Sequence, residues 1–499
     1  MRIEASQIRC DSGIEFSITK KDLGKKLAIK IRKTKAIKII SFVTLFLPVL
    51  LLLTGCPRHI DSQYGIKVVS DGSGGAFALY EDSLGGNIYV QKISPDGKTL
   101  WGEKGVLLGK SGGQFYIYHS SYIVSDGSGG VTVSWPENIY HIMKFDADGN
   151  IVWQKDYEHI DHLMPDGSGG IIVDISPDEN STVFTRIDSD GNFPWGTTGI
   201  SLTHPGDSHQ AVSDGSGGAI IALLELRYPE GAQPGETISR GYIYIQKTDS
   251  KGQLSWGEED LLIYSTPDNT YAESIQITGD GSGGAIVAWH QVPTGKIESG
   301  SPEALLMDVI VQKIDASGRT VWKEGGLPFE INKAAENALP IEPLLVNASL
   351  GGAIIAWRDG RDRSSGSAAS LYAQRVDQDG NLLWQAGGVK VSSTSLNPHH
   401  AIASDGSGGA YISYSLPGDW KMLHVQKMNN DGKTLWGENG VLVIDREYAG
   451  HSVSPDGLGG VVIGWGSSRG TVGSEEAYIQ RVHADGTLLW GAAGIKLNP

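Results

Sequence analysis

The chain has 499 residues, 68 of them glycine, and a formal net charge of −16. Its first 56 residues are basic, with eleven Lys/Arg against four Asp/Glu, which leaves 30 basic against 53 acidic side chains on the rest. A body that acidic repels nucleic acid and anionic lipid heads, and its two cysteines, Cys10 and Cys56, leave everything after residue 56 without a disulfide framework, a cysteine zinc site or a thiol nucleophile.

In chain order, residues 1–24 come first, as an extension ahead of the basic run Lys25–Lys38. The apolar stretch Ile39–Leu53 follows, shorter than the roughly twenty residues a membrane-spanning helix needs. A basic region followed by a short apolar region is the pattern of an export signal. The stretch ends in Leu53-Thr54-Gly55-Cys56, which resembles a bacterial lipobox. The resemblance implies diacylglycerol on the Cys56 thiol and removal of residues 1–55, with 56–64 left as a lipidated tether. The expected location is then the membrane surface after export across the cytoplasmic membrane, on the cell surface or in the periplasm. The chain would touch lipid through its acyl chains alone, each buried CH₂ contributing about 0.8 kcal/mol.

From residue 65 to 499 one unit recurs eight times. Each opens on a short apolar run that ends in a glycine turn, as in Ser70-Asp-Gly-Ser-Gly-Gly-Ala76. Eight copies of such a loop are not a phosphate cradle, which a protein needs once; the expected role is a chain reversal between strands A and B. A second apolar run follows, with an aromatic at its last position in six of eight units. After a variable loop comes a third run, then a turn with glycine at Gly97, Gly149, Gly191, Gly252, Gly318, Gly380, Gly432 and Gly486. Six of these glycines follow Asp, which predicts a type I′ hairpin between strands C and D. Strand D carries one tryptophan per unit: Trp101, Trp153, Trp195, Trp256, Trp322, Trp384, Trp436 and Trp490.

Four antiparallel strands in about 55 residues cannot bury both faces alone, and such units stack radially as propeller blades. The fold class is therefore all-β, an eight-bladed β-propeller of four-stranded blades behind the signal segment. Since the repeat starts at strand A and ends after strand D, closure of the ring is left open between packing alone and a shared strand. The Gly-x-x-x-Trp hairpins, seen in Val376–Trp384 and Ile314–Trp322, resemble the tryptophan-docking repeat of quinoprotein-like propellers. That resemblance implies that each Trp packs between neighbouring blades. It covers the C–D hairpins only, and Asp377 stands three residues before Gly380, one fewer than in that family. The dehydrogenases of that family use a quinone, calcium and a cysteine pair; the repeats contain no cysteine, and no cofactor is implied.

The distance from glycine turn to Trp is 42 residues in units 4 and 5 and 36 in unit 6, against 27–34 elsewhere. The additions fall between strands B and C, on the face opposite the tight turns, where repeat proteins carry their binding surface. Candidate binding residues there are Arg227, Tyr228, His290, Arg358, Arg361 and Trp420. Arginine forks grip carboxylate or phosphate, and an exposed tryptophan stacks on a sugar or anchors a protein. Aspartates in Asp146–Gly149, Asp188–Gly191 and Asp377–Gly380 echo calcium loops but lack the further acidic ligand, so turn chemistry is their expected role. No spacing pairs the histidines with a second group. The expected function is a lipid-anchored platform for an envelope protein or glycan. The alternative is a hydrolase or lyase with its site at the mouth of the central channel; a surface coat without a ligand is a third reading.

Overall fold

The computed structural model describes residues 7–10, 14–17 and 66–497, apart from 83–85, 111–120, 178–180, 205, 229–239, 268–269, 294–307, 324–328, 333–340, 360–369, 393–399, 417–418, 447, 449 and 468–475. The chain divides into two compact units, Met1–Arg58 and His59–Pro499. The first contributes one antiparallel hairpin, Gln7–Cys10 with Ile14–Ser17. Cys56 and the apolar stretch before it lie outside the described residues. Among the described residues no helix is long and apolar enough to cross a membrane.

The second unit is all-β. Blade 1 consists of Ile66–Ser70, Ala76–Glu81, Asn87–Ile93 and Val106–Lys110, paired in that order, and seven further repeats follow the same A–B–C–D order. Strand A of each blade packs against strand A of the next, from blade 1 round to blade 8 and back to blade 1. That circuit makes the A strands the inner wall of an eight-bladed propeller. Their partial exposure, as in Ser208–Ser213 of blade 4, fits a solvated centre. The B strands are buried on both faces and read as continuous apolar runs for that reason.

The tryptophans wedge each blade to its successor. Trp384 Nε1 donates to Asn430 O at 2.9 Å, and Trp322 Nε1 to Gln378 O at 2.9 Å, each acceptor lying in the C–D turn of the following blade. The turn glycine lies flat on the same indole: a Cβ on Gly432 would stand 2.7 Å from Trp384 Cγ, and one on Gly380 2.9 Å from Trp322 Cδ1. This close approach explains why glycine recurs at all eight turns. Trp195 is the exception in hydrogen bonding: its Nε1 finds no acceptor, and the turn carbonyl Ser250 O accepts from Arg186 Nη1 alone.

The C–D turns differ from the expected type I′. Asp146 N–H donates to Asn150 O, and Gly149 N–H donates to Asp146 O, with positive φ at Gly149 but not at Asp148. These are three-residue loops, a type I turn closed by a left-handed glycine. The physical reason is the leading aspartate, whose Oδ1 accepts from Asp148 N and Asn150 N and holds the longer loop. Asp188 and Asp377 do the same in their own turns, so these carboxylates are occupied by loop closure.

The glycine turns work similarly. Asp71 Oδ1 accepts from Ser73 N and Gly75 N at 2.8 Å, and a Cβ on Gly75 would stand 2.6 Å from Ile93 O. A second inter-blade device, absent from the sequence expectations, is a cation near the end of each C strand: Lys92, Lys144, Arg186, Lys247, Lys313, Arg375, Lys427 and Arg481. Lys313 Nζ lies 3.5 Å from Asp280 of its own glycine turn and donates to Gly351 O of the next at 3.0 Å.

The ring closes without strand exchange. Blade 8 is Gly450–Pro455, Val461–Ser467, Glu476–Val482 and Ile495–Lys496. Val68 and Ser70 N–H donate to Ser452 and Ser454 Oγ at 3.0 Å, and Trp490 Nε1 donates to Pro95 O at 3.2 Å. A Cβ on Gly97 would stand 2.8 Å from Trp490.

Candidate functional site

The A–B and C–D turns share one face, where the aspartates close their own loops and carbonyls accept from the wedges and cation bridges just described. The opposite face carries the B–C loops, and among the described residues strand B is longest in blades 4 and 5. Strands Ala219–Arg227 and Arg240–Thr248 of blade 4, and Thr270–Gly279 and Ala285–Pro293 of blade 5, are nine or ten residues long. Arg240 pairs with Thr270 in parallel, joining the two sheets at this end. The junction needs glycine at 241, since a Cβ there would stand 2.8 Å from Ala272 N.

Arg227 and Tyr228 lie on this ridge. The Arg227 guanidinium sits 4.1 Å from the Tyr242 ring centroid, its Nε donates to Glu225 Oε1 at 2.9 Å, and its Nη2 donates to the Tyr244 hydroxyl at 3.2 Å. His204 stacks on Tyr244 at 3.7 Å. Tyr228 is half exposed beside this ladder. His290 is not on the surface: strand B of blade 5 continues through it, it is 1% exposed, and its Nδ1 lies 4.0 Å from Glu273. It thus offers no binding surface, because the apolar strand runs three residues beyond the expected loop start. Arg358 is half-buried near the end of strand B of blade 6, ahead of Asp359, which accepts from Trp357 Nε1 at 3.1 Å. Arg361 lies outside the described residues. Trp420 falls in the strand Asp419–Met428, with its side chain outside the description.

A second group on the same face unites three residues far apart in sequence. Asp161 precedes strand A of blade 3 (Leu163–Pro165), Asp174 ends strand B of blade 3 (Ile171–Asp174), and His209 is second in strand A of blade 4. Asp161 N–H donates to Asp174 O and Asp174 N–H to His162 O, extending the A–B ladder to bring the aspartates together. His209 Nε2 is in close contact with Asp174 Oδ2 and lies 3.8 Å from Asp161 Oδ2. His159 Nε2 lies 2.9 Å from Asp161 Oδ1, and Ser176 donates to Asp174 Oδ1 through N at 3.1 Å and Oγ at 2.7 Å. Tyr122, His162 and Phe184 pack round these groups.

The electrostatics follow from these pairs. Burial alone pushes the His209 imidazole pKa down, but the Asp174 and Asp161 carboxylates outweigh it and raise it. For His159 the hydrogen bond to Asp161 is the leading cause of an upward shift. Burial pushes Asp161 up, but His159, His209 and His162 carry it below the ordinary carboxylate value. Sequence reasoning missed this site. The available signal was Asp174, a carboxylate inside the apolar run Ile171–Ile175, together with the pair His159 and His162 flanking Asp161.

No protein-family model and no curated protein matches the chain. Among solved structures it is similar to a prolyl endopeptidase, with 12% identity over 85% of this chain and 55% of that one and a TM-score of 0.44. The chain thus spans about half the length of that enzyme. It is also similar to the β-propeller domain of the Trilobed protease from Pyrococcus furiosus, with 9% identity over 75% of this chain and 99% of that one and a TM-score of 0.41. A third is the Kuenenia stuttgartiensis hydrazine synthase, with 13% identity over 74% and 96% of the two chains and a TM-score of 0.40.

Proposed function

We propose that this protein is an exported lipoprotein, held to a membrane through Cys56, whose propeller binds an envelope protein or glycan on its B–C loop face. The tryptophan-docking resemblance belongs to the same reading, as a way of building a rigid ring without a cofactor. The observation that carries the proposal is the division between the two faces. One consists of near-identical turns whose leading carboxylates close their own loops and whose carbonyls accept from the tryptophans and cations of the preceding blade. The other varies from blade to blade and presents the exposed Arg227–Tyr228 ridge, with the guanidinium 4.1 Å from the Tyr242 ring. Cation–aromatic surfaces of this kind suit protein or sugar recognition.

The alternative, a hydrolase or lyase at the channel mouth, is favoured by one observation: the Asp161–Asp174–His209 cluster at the inner rim. Two experiments test the main proposal. Cys56→Ala should abolish metabolic lipid labelling and membrane retention; unchanged labelling contradicts the anchor. Cross-linking capture from envelope extract, with the chain lacking residues 1–55 as bait, should yield a partner that disappears when the B–C loops of blades 4 to 6 are shortened. A partner indifferent to those loops contradicts the binding face.

A further inference from the structure

Among the described residues, the group Asp161, Asp174 and His209 is the one set of three His, Cys, Asp or Glu side chains whose ligating atoms converge, all within 4.8 Å of one another. Asp174 is fully buried, the His209 side chain is 11% exposed and that of Asp161 42% exposed, so the group opens to solvent on the Asp161 side. The roles of the individual oxygens set this cluster apart from a simple ion pair. Asp174 gives Oδ1 to Ser176, and Asp161 gives Oδ1 to His159. Each carboxylate then presents its remaining oxygen, Oδ2, to the same atom, His209 Nε2. One nitrogen carries one proton, which serves one of these two Oδ2 atoms and leaves the other without that donor. A divalent cation in place of that proton satisfies both oxygens and the nitrogen lone pair at once.

We infer that Asp161 Oδ2, Asp174 Oδ2 and His209 Nε2 form a binding site for a divalent transition metal of the zinc class. One imidazole with two carboxylates is a donor set for such ions, whereas calcium and magnesium take oxygen alone. Metal–ligand bonds of about 2.0–2.2 Å require donors about 3.3 Å apart in a tetrahedron. To reach that spacing the 3.8 Å between His209 Nε2 and Asp161 Oδ2 shortens by about half an ångström, and the close contact between His209 Nε2 and Asp174 Oδ2 opens to admit the ion. Ser176 and His159 stand as outer-shell partners that fix which oxygen each carboxylate offers, the arrangement that orients ligands in metal sites. Three protein donors leave a fourth position, on the Asp161 side, for water or a ligand. That is the coordination of a Lewis-acid centre rather than of a closed structural site.

The test uses the full chain, stripped with a chelator and titrated with Zn²⁺ by calorimetry and with Co²⁺ by visible absorption. The expected result is about one ion per chain and a d–d spectrum of tetrahedral or five-coordinate cobalt. Asp161→Asn and His209→Gln should each abolish the stoichiometric uptake and the spectrum. Asp161 is exposed enough that its variant keeps the fold, which circular dichroism checks. His159→Gln, which removes an outer-shell partner only, should weaken binding by about 10- to 100-fold. No stoichiometric uptake by the parent chain overturns the proposal. So does uptake that survives both ligand substitutions, which assigns the metal to other residues.

Discussion

Alanine placed at two glycines of blade 7 separates backbone strain from inter-blade packing. Gly432 and Gly437 both have φ of +79°, so alanine at either carries the same left-handed strain, about 1–2 kcal/mol. Their surroundings differ. A Cβ at Gly437 meets nothing within 4 Å, whereas one at Gly432 would stand 2.7 Å from Trp384 Cγ and 2.9 Å from its Cδ1 and Cδ2. The indole is 6% exposed and tied by Nε1 to Asn430 O, inside the same turn, so it cannot retreat without losing that bond. Overpacking of this kind adds about 1–3 kcal/mol. Gly437→Ala should therefore cost about 1–2 kcal/mol and Gly432→Ala about 2–5 kcal/mol, read by urea unfolding followed through tryptophan fluorescence. In a Trp384→Ala background, itself costing about 3–5 kcal/mol, the Gly432 penalty should fall to the Gly437 level. Equal costs at the two glycines, or no relief from Trp384→Ala, would refute the docking of indole on turn.

The closure between blades 8 and 1 and one buried histidine give two more expectations. Arg481 lies 2.9 Å from Asp456, both nearly buried, and its Nη1 donates to Pro95 O of blade 1. Arg481→Met should cost about 3–5 kcal/mol and raise amide exchange at Val68 and Ser70; a cost near that of an exposed arginine would contradict its role in closure. Burial pushes the His424 imidazole below its ordinary value of 6.5, and its Nδ1 pairs with Asn439 O at 3.0 Å, while its buried Nε2 has no acceptor for a second proton. The unfolded chain therefore binds a proton at higher pH than the folded one. His424 contributes stability that is whole above about pH 6.5 and lost as pH falls through the lower folded value. Urea midpoints at about pH 7.5 and about pH 5 should differ more in the parent than in His424→Gln; equal differences would contradict the assignment.

Features that repeat with one blade's period are legible in the amino-acid sequence. The eight tryptophans and turn glycines carried the blade count, and their docking explains why both recur. Features that depend on ring register are not. The cations from Lys92 to Arg481 recur in the sequence, but their acceptors lie on the next blade, so strand alternation reads them as ordinary polar positions. Asp161, Asp174 and His209 come from a connector, the end of one strand and the start of another, and meet only when blades 3 and 4 sit side by side. His290 was misplaced for a simpler reason: strand B of blade 5 outlasts its repeat and carries the side chain inward. The type I′ expectation failed because an aspartate or asparagine that caps its own loop stabilises a longer turn than the Asp-Gly pair alone specifies.

The division of the two faces is tested most directly by a photo-crosslinking side chain placed once at Tyr228, on the variable face, and once at Ser407, in an exposed glycine turn on the other. With the full chain in its native host cell, that division predicts a discrete adduct from position 228 and none from 407. An adduct from 407 alone, or the same adduct from both, would contradict it.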